Sequence, residues 1–411
     1  MSRAPGRSAG SPAALARSAA PSPAAGLPEA AALSPGAAPP ALWLRQAVPV
    51  WTAASLPGCR RFHQAFPGYA PTPLRSAPGL AAELGAGAVF VKDESGRLGL
   101  PAFKILGASW AVFRALYARI GADPPPAATL ASLERQSGRL AHLRLLAASD
   151  GNHGRAVARM ASLLGLPALI LVPAAVGPHA VAAIEAEGAL VRVTGASYDE
   201  AVAEVAALAA ADERQVLIQD TSWPGYQQVP GWIEQGYLTL LAELDEQLAA
   251  AGHGRPDLVV VPAGVGSLLG ATIRHYRAAA APGRVALLAV EPACAACVQA
   301  STRAGEPVTV PTAVTAMEGL NCGTVSAAAW PAIRDGLDAA VSVTDASALG
   351  AAARLARLGI HAGPCGAASL AGLSGALGGP AAAQARERLR VTAASTVVLL
   401  STEGPRPAGA C

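Results

Sequence analysis

Lysine is nearly missing from this chain: of its 31 basic residues only Lys92 and Lys104 are lysines, and the rest are arginine. Charged residues make up 14% and aromatics 4% of the sequence. The formal net charge of +3 is scattered, with no basic run, which removes the electrostatic footprint of a nucleic-acid or anionic-membrane partner and leaves a small molecule as the expected one. Long apolar runs are lacking too. The most apolar stretch, LLGLPALILVPAAVGP, is broken by prolines and glycines and stops before His179, so no membrane span is expected. No compact apolar core follows the N-terminal arginines, which argues against a secretory signal. Six cysteines are too few for a disulfide scaffold in 411 residues, and CAAC (294–297) has no second CxxC to complete a zinc site. They read as reduced thiols, with a meeting of Cys297 and Cys322 left open.

What is present is enough for large cores. At 411 residues and 52% hydrophobic content the chain can form two globular domains. Residues 1–42 are an Ala/Pro-rich tail with too little bulk for a core, expected to be disordered. From about residue 85 strand-like and helix-like runs alternate: AVFVKDE, then LGASWAVFRALYARI, then RLLAAS, GRAVARMASLLG, ALILVP and so on to RVALLAVE. This alternation predicts an α/β fold with mainly parallel twisted sheets flanked by helices. In such folds ligands gather at the carboxyl ends of the strands.

Four loops at such ends carry polar chemistry. SDGNHGRA (149–156) combines two glycines with Asp150 and Asn152; a simple Asx turn would also explain an Asp-Gly-Asn. PAGVGSLLGA (262–271) lies between a strand and a helix, so its amides and the positive helix end would face an anion such as phosphate. It lacks the GK[ST] of a P-loop. A dinucleotide-binding reading competes, because Glu291 follows the next strand, yet the third glycine falls at Gly270, one place late. QDTSWPGYQQVPGWIEQGY (219–237) sets Asp220 among aromatics; packing alone accounts for Trp232 and Tyr237, while a carboxylate there has a route to a shifted pKa. VLLSTEGP (398–405) ends a strand on Ser401 and Thr402, which suit a turn or a heterocycle.

Lys104 sits in the apolar stretch GLPAFKILGASWA (99–111). A lysine at a helix start can merely snorkel. Among apolar residues, however, desolvation favours the neutral amine, a nucleophile toward a carbonyl, and arginine cannot take that role. Schiff-base amine, glycine loop and asparagine together match pyridoxal phosphate better than any other cofactor.

YAPTPL, VKDES, GLPAFKILGASWA, DGNHGRAVA, QDTSWPGYQQVPGWIEQGY, PAGVGSL, MEGLNCGTVS and STEG, in this order, resemble the diaminopropionate ammonia-lyase family, pyridoxal-phosphate enzymes of fold type II (the tryptophan synthase β family). The resemblance spans roughly residues 43–405. It implies a large cofactor-binding domain from 43–100 and 225–411, a smaller α/β domain from 101–224, and the cofactor between them. It further implies that Lys104 bonds the cofactor, Asn152 binds the pyridine hydroxyl oxygen, Gly264 to Leu268 hold the phosphate, and Ser401, or failing it Thr402, faces the pyridine nitrogen. Lys104 would take the Cα proton from one enantiomer and Asp150 from the other, with Asp220 binding or protonating the β-ammonium; pyruvate and two ammonia would result. A cytoplasmic homodimer acting on a small amino acid is the expectation that goes with it. The segment GPCGAASL (363–370) departs from the family's usual Glu-Ser-Gly-Ala, which keeps a serine/threonine dehydratase-like elimination, or a β-replacement on another amino acid, as the alternative. A Rossmann-like binding protein without pyridoxal phosphate ranks last, since it leaves Lys104, Asn152 and Asp220 without a task.

Overall fold

The computed structural model describes residues 42–46, 59–125, 128–195, 197–278 and 284–405. The expected tail therefore lies, up to residue 41, outside the described residues. Eleven strands are described: β1 (Leu42–Leu44), β2 (Leu74–Ser76), β3 (Ala88–Asp93), β4 (Arg144–Ala148), β5 (Ala168–Val172), β6 (Leu190–Val193), β7 (Gln215–Leu217), β8 (Leu258–Pro262), β9 (Ala286–Pro292), β10 (Ala339–Val343) and β11 (Thr396–Ser401). They form a seven-stranded sheet in the order β1-β10-β9-β8-β11-β3-β2 and a four-stranded sheet in the order β6-β5-β4-β7. The smaller sheet is wholly parallel. The larger is parallel except at its two edges, where β1 and β2 run antiparallel.

The central strands read as unbroken apolar runs because helices cover both of their faces. Every residue of β8, β9, β10 and β11 is buried. Alternate residues of β8 serve opposite sides: Val259 and Val261 join one core and Leu258 and Val260 the other. The first core also takes in the helix Lys104–Arg119 and the long helix Gln228–Ala250. The second takes in Pro364–Gly378.

The second lysine has a structural explanation. Lys92, on β3, is completely buried and donates from Nζ to Glu243 of the long helix at 2.9 Å and to the carbonyl of Thr72 at 2.8 Å. Arg97 forks onto the same Glu243 carboxylate at 2.7 Å to each oxygen and also pairs with Glu94. Buried charges survive only when paired and hydrogen-bonded in this way. Among the described residues no helix is long and apolar enough to cross a membrane.

Candidate active site

The loops after β4, β7, β8 and β11 converge on one cleft, lined by Phe103, Lys104, Asp150, Asn152, Tyr198, Asp220, the Pro262–Leu268 loop, Gly319, Leu320, Cys322, Cys365, Thr402 and Glu403. Its space, including the open mouth, is about 660 Å³. Lys104 is the first residue of its helix, held there because Phe103 donates its backbone N–H to Thr402 O at 3.3 Å.

Lys104 Nζ donates to Asp220 Oδ2 at 2.6 Å. Burial by itself would lower the lysine's pKa, but the Asp220 carboxylate, with Asp150 beyond it, outweighs burial and holds it above the ordinary value. The neutral amine expected from an apolar setting is therefore corrected: without a bound carbonyl the amine is an ammonium in an ion pair. Burial would likewise raise Asp220, yet the nearby His153 imidazole and the Lys104 ammonium hold it well below the carboxylate range. Burial lowers the pKa of His153 itself, and its Nε2–H is spent on Ile218 O at 2.7 Å. Tyr198 adds a hydroxyl donor to Asp220 Oδ1 at 3.3 Å. Asp150 behaves oppositely. Burial, helped by Asp220 and opposed by Lys104, pushes its carboxyl up to about 7. The two aspartates thus differ in charge state near neutrality, as an acid–base pair with separate tasks requires.

Around Asn152 the backbone is unusual. Gly151 has φ 143°, where a side chain would be strained, and Ser149 Oγ accepts from the amides of Gly151 at 2.9 Å and Gly154 at 2.7 Å. This brings the helix start forward to Asn152. Asn152 Nδ2 donates to Glu403 Oε2 at 2.7 Å. Gly266, at φ 95°, caps the helix Ser267–Tyr276, whose first residues Ser267 and Leu268 line the cleft. A Cβ on Gly266 would lie 2.7 Å from Ile333 Cδ1.

Of the two strand-end hydroxyls, Thr402 lines the cleft. Ser401 Oγ lies beside Gly366 instead, buried and with no hydrogen-bond partner among the described residues. An amine, an amide donor, a helix N-terminus cradled by glycines and an orphaned buried hydroxyl form a donor set that fits a phosphorylated pyridine aldehyde. A dinucleotide does not fit: both oxygens of Glu291 accept from the amides of Val298 and Gln299, at 2.7 and 2.8 Å, so that carboxylate caps a helix. Cys297 and Cys322 are both buried free thiols, and Cys322 lines the cleft.

Reasoning from sequence missed Glu403, Tyr198 and Cys322 as cleft residues. Glu403 lay inside STEG, where the hydroxyls drew the attention; Tyr198 gave no signal beyond opening a helix.

The family model for pyridoxal-phosphate dependent enzymes matches residues 65–403. Diaminopropionate ammonia-lyase of Salmonella typhimurium is 35% identical over 84% of this chain and 87% of its own. The crystal structure of the Escherichia coli diaminopropionate ammonia-lyase in complex with D-serine superposes with a TM-score of 0.77 at 31% identity, covering 88% of this chain and 93% of that one. The same enzyme in complex with the aminoacrylate–PLP azomethine reaction intermediate gives 0.73 at 34% identity, over 84% and 87%. The chain belongs to the pyridoxal-phosphate-dependent enzymes of fold type II and, within them, to the diaminopropionate ammonia-lyase family.

Proposed function

We infer that the protein eliminates ammonia from 2,3-diaminopropionate, giving pyruvate and, after hydrolysis, two ammonia in all. The observation that carries this reading is the cleft amine Lys104 bonded to Asp220 at 2.6 Å, with Asp150 lining the same cleft. Pyridoxal phosphate, when bound, supplies the electron sink for loss of the Cα proton and the β-amine. The amides of Gly264, Val265, Gly266, Ser267 and Leu268 would hold its phosphate, and Lys104 would be the amine for its aldehyde. Asn152 would donate to its hydroxyl oxygen, and Ser401 or Thr402 would offer a hydroxyl to its ring nitrogen.

The protein's own groups divide the proton work. Asp150, with a pKa near neutrality, accepts the Cα proton of one enantiomer; Lys104, once free as an amine, accepts it from the other. Asp220 stays anionic, so binding the departing β-ammonium suits it better than protonating it. The anionic Asp220 favours a substrate carrying a β-ammonium over serine, whose β-substituent is a neutral hydroxyl. The larger unit (43–100 and 225–411) and the smaller one (101–224) would each hold one side of the cofactor, since the seven-stranded sheet draws its strands from outside 101–224 and the four-stranded sheet from within it. A cytoplasmic homodimer goes with this reading on family grounds, and sizing chromatography tests the dimer. The direct test is pyruvate release from each enantiomer of 2,3-diaminopropionate, with L- and D-serine as competitors for the same assay. Faster turnover of serine would replace this reading with a dehydratase.

A further inference from the structure

Glu403 has no task in the reading above, although it borders the cleft and the adjoining hollow lined by Arg155, His179 and Glu318. Its side chain is 5% exposed. Oε1 accepts from the backbone N–H of Cys365 at 3.3 Å, in the first turn of the helix Pro364–Gly378. Oε2 accepts from Asn152 Nδ2 at 2.7 Å. The backbone is pinned as well: Gly363 N–H donates to Glu403 O at 3.0 Å, and Ala102, two residues before Lys104, bridges to Glu403 in antiparallel fashion. The carboxylate is thus a fixed acceptor following β11 of the larger sheet, reaching across to a residue following β4 of the smaller.

An asparagine amide presents a donor at one end and an acceptor at the other, and rotation by half a turn exchanges them. An ionised carboxylate can pair only with the NH2 end. We infer that Glu403 is a positioning residue: by accepting one N–H of Asn152 it sets the amide so that the second N–H, not the carbonyl, meets the hydroxyl oxygen of pyridoxal phosphate. This rests on the cofactor reading given above. A glutamine at 403 could offer Asn152 either end of its own amide and so would lose the bias.

The test compares four apo-proteins, wild type, Glu403→Gln, Asn152→Ala and the double variant, titrated with pyridoxal phosphate by quenching of tryptophan fluorescence, with the visible band and the apo melting temperature recorded. Glu403→Gln is expected to weaken cofactor binding about tenfold, the loss of one well-made polar contact, and to shift the visible band while leaving apo melting unchanged. In the Asn152→Ala background the same change should cost nothing further. If the two losses multiply, or if melting falls while cofactor affinity holds, Glu403 acts through the Pro364–Gly378 helix and the inference is overturned. Should the glutamine variant not fold, Glu403→Asp, which withdraws the carboxylate by one methylene, is read in the same four-way comparison. A wild type that binds no pyridoxal phosphate overturns the cofactor reading itself, a result separate from any behaviour of the variants.

Discussion

At the scale of the residue, the two lysines of the chain have unlike surroundings. Lys104 meets one carboxylate at the wall of a cleft, and Lys92 is sealed into an ion network. Replacing Lys104 with alanine should abolish the visible band of bound cofactor along with turnover, checked by absorption and pyruvate assay. Asp150 makes a pH prediction. Its carboxyl, raised to about 7 by burial, works as a base only when deprotonated, so turnover of the enantiomer it serves should rise with pH through about 7. Asp150→Asn should remove that limb and cost roughly 10²- to 10⁴-fold for that enantiomer alone, the usual worth of a general base; equal losses for both enantiomers in steady-state kinetics would contradict the division of labour. Asp150, Asn152, Asp220, Gly264 to Leu268 and Thr402 were legible as candidates because they follow strand ends in a chain otherwise poor in polar groups, and Lys104 because lysine is scarce and this one stands in an apolar stretch. The charge state of Lys104 was not legible, since it depends on Asp220, 116 positions away in sequence.

At the scale of the element, the strands β3 to β9 and the main helices between them were readable from hydrophobic period, because burial leaves apolar runs that stop at Gly, Asn and Asp; the short helices Leu130–Glu134 and Ser137–Leu140, β10 and the helices between residues 297 and 389 were not read. Helix starts were harder to read. The pattern suggests a helix from Leu106, and the observed one begins at Lys104 because Phe103 is tied to Thr402. The short antiparallel edges β1 and β2 carry too few residues to show a period. The Gly266 turn allows a sharp element-level prediction. Alanine there must adopt φ 95° and push its Cβ to 2.7 Å from Ile333 Cδ1, so Gly266→Ala should destabilise by about 1–3 kcal/mol and loosen the phosphate end of the cofactor more than its aldehyde end. Thermal melting together with inorganic phosphate competition against pyridoxal phosphate measures both.

At the scale of the whole molecule, the long helix Gln228–Ala250 is tied to the larger sheet through Glu243, which satisfies Lys92, Arg97 and the hydroxyl of Tyr69, at 2.9, 2.7 and 2.6 Å. No sequence pattern announces such a network, whose members lie up to 174 positions apart. Glu243→Ala would leave the buried Lys92 without a carboxylate and Arg97 with Glu94 alone, and should cost on the order of 3–5 kcal/mol in denaturant unfolding. Burial would raise the Glu243 carboxyl, but Arg97 and Lys92 prevail and hold it at about 2, against an ordinary value of 4.5. Its contribution is therefore present above about pH 4.5 and lost as pH falls toward 2, so unfolding curves of the wild type should weaken across that window more steeply than those of Glu243→Gln. The central claim, that the cleft is a pyridoxal-phosphate site for a diamino acid, is met most directly by one experiment: absorption of the purified protein with pyridoxal phosphate, before and after 2,3-diaminopropionate, with pyruvate assayed in the same cuvette. A visible band that changes on substrate addition while pyruvate accumulates is the predicted result; a protein that develops no band, or a band with no pyruvate from either enantiomer, would contradict it.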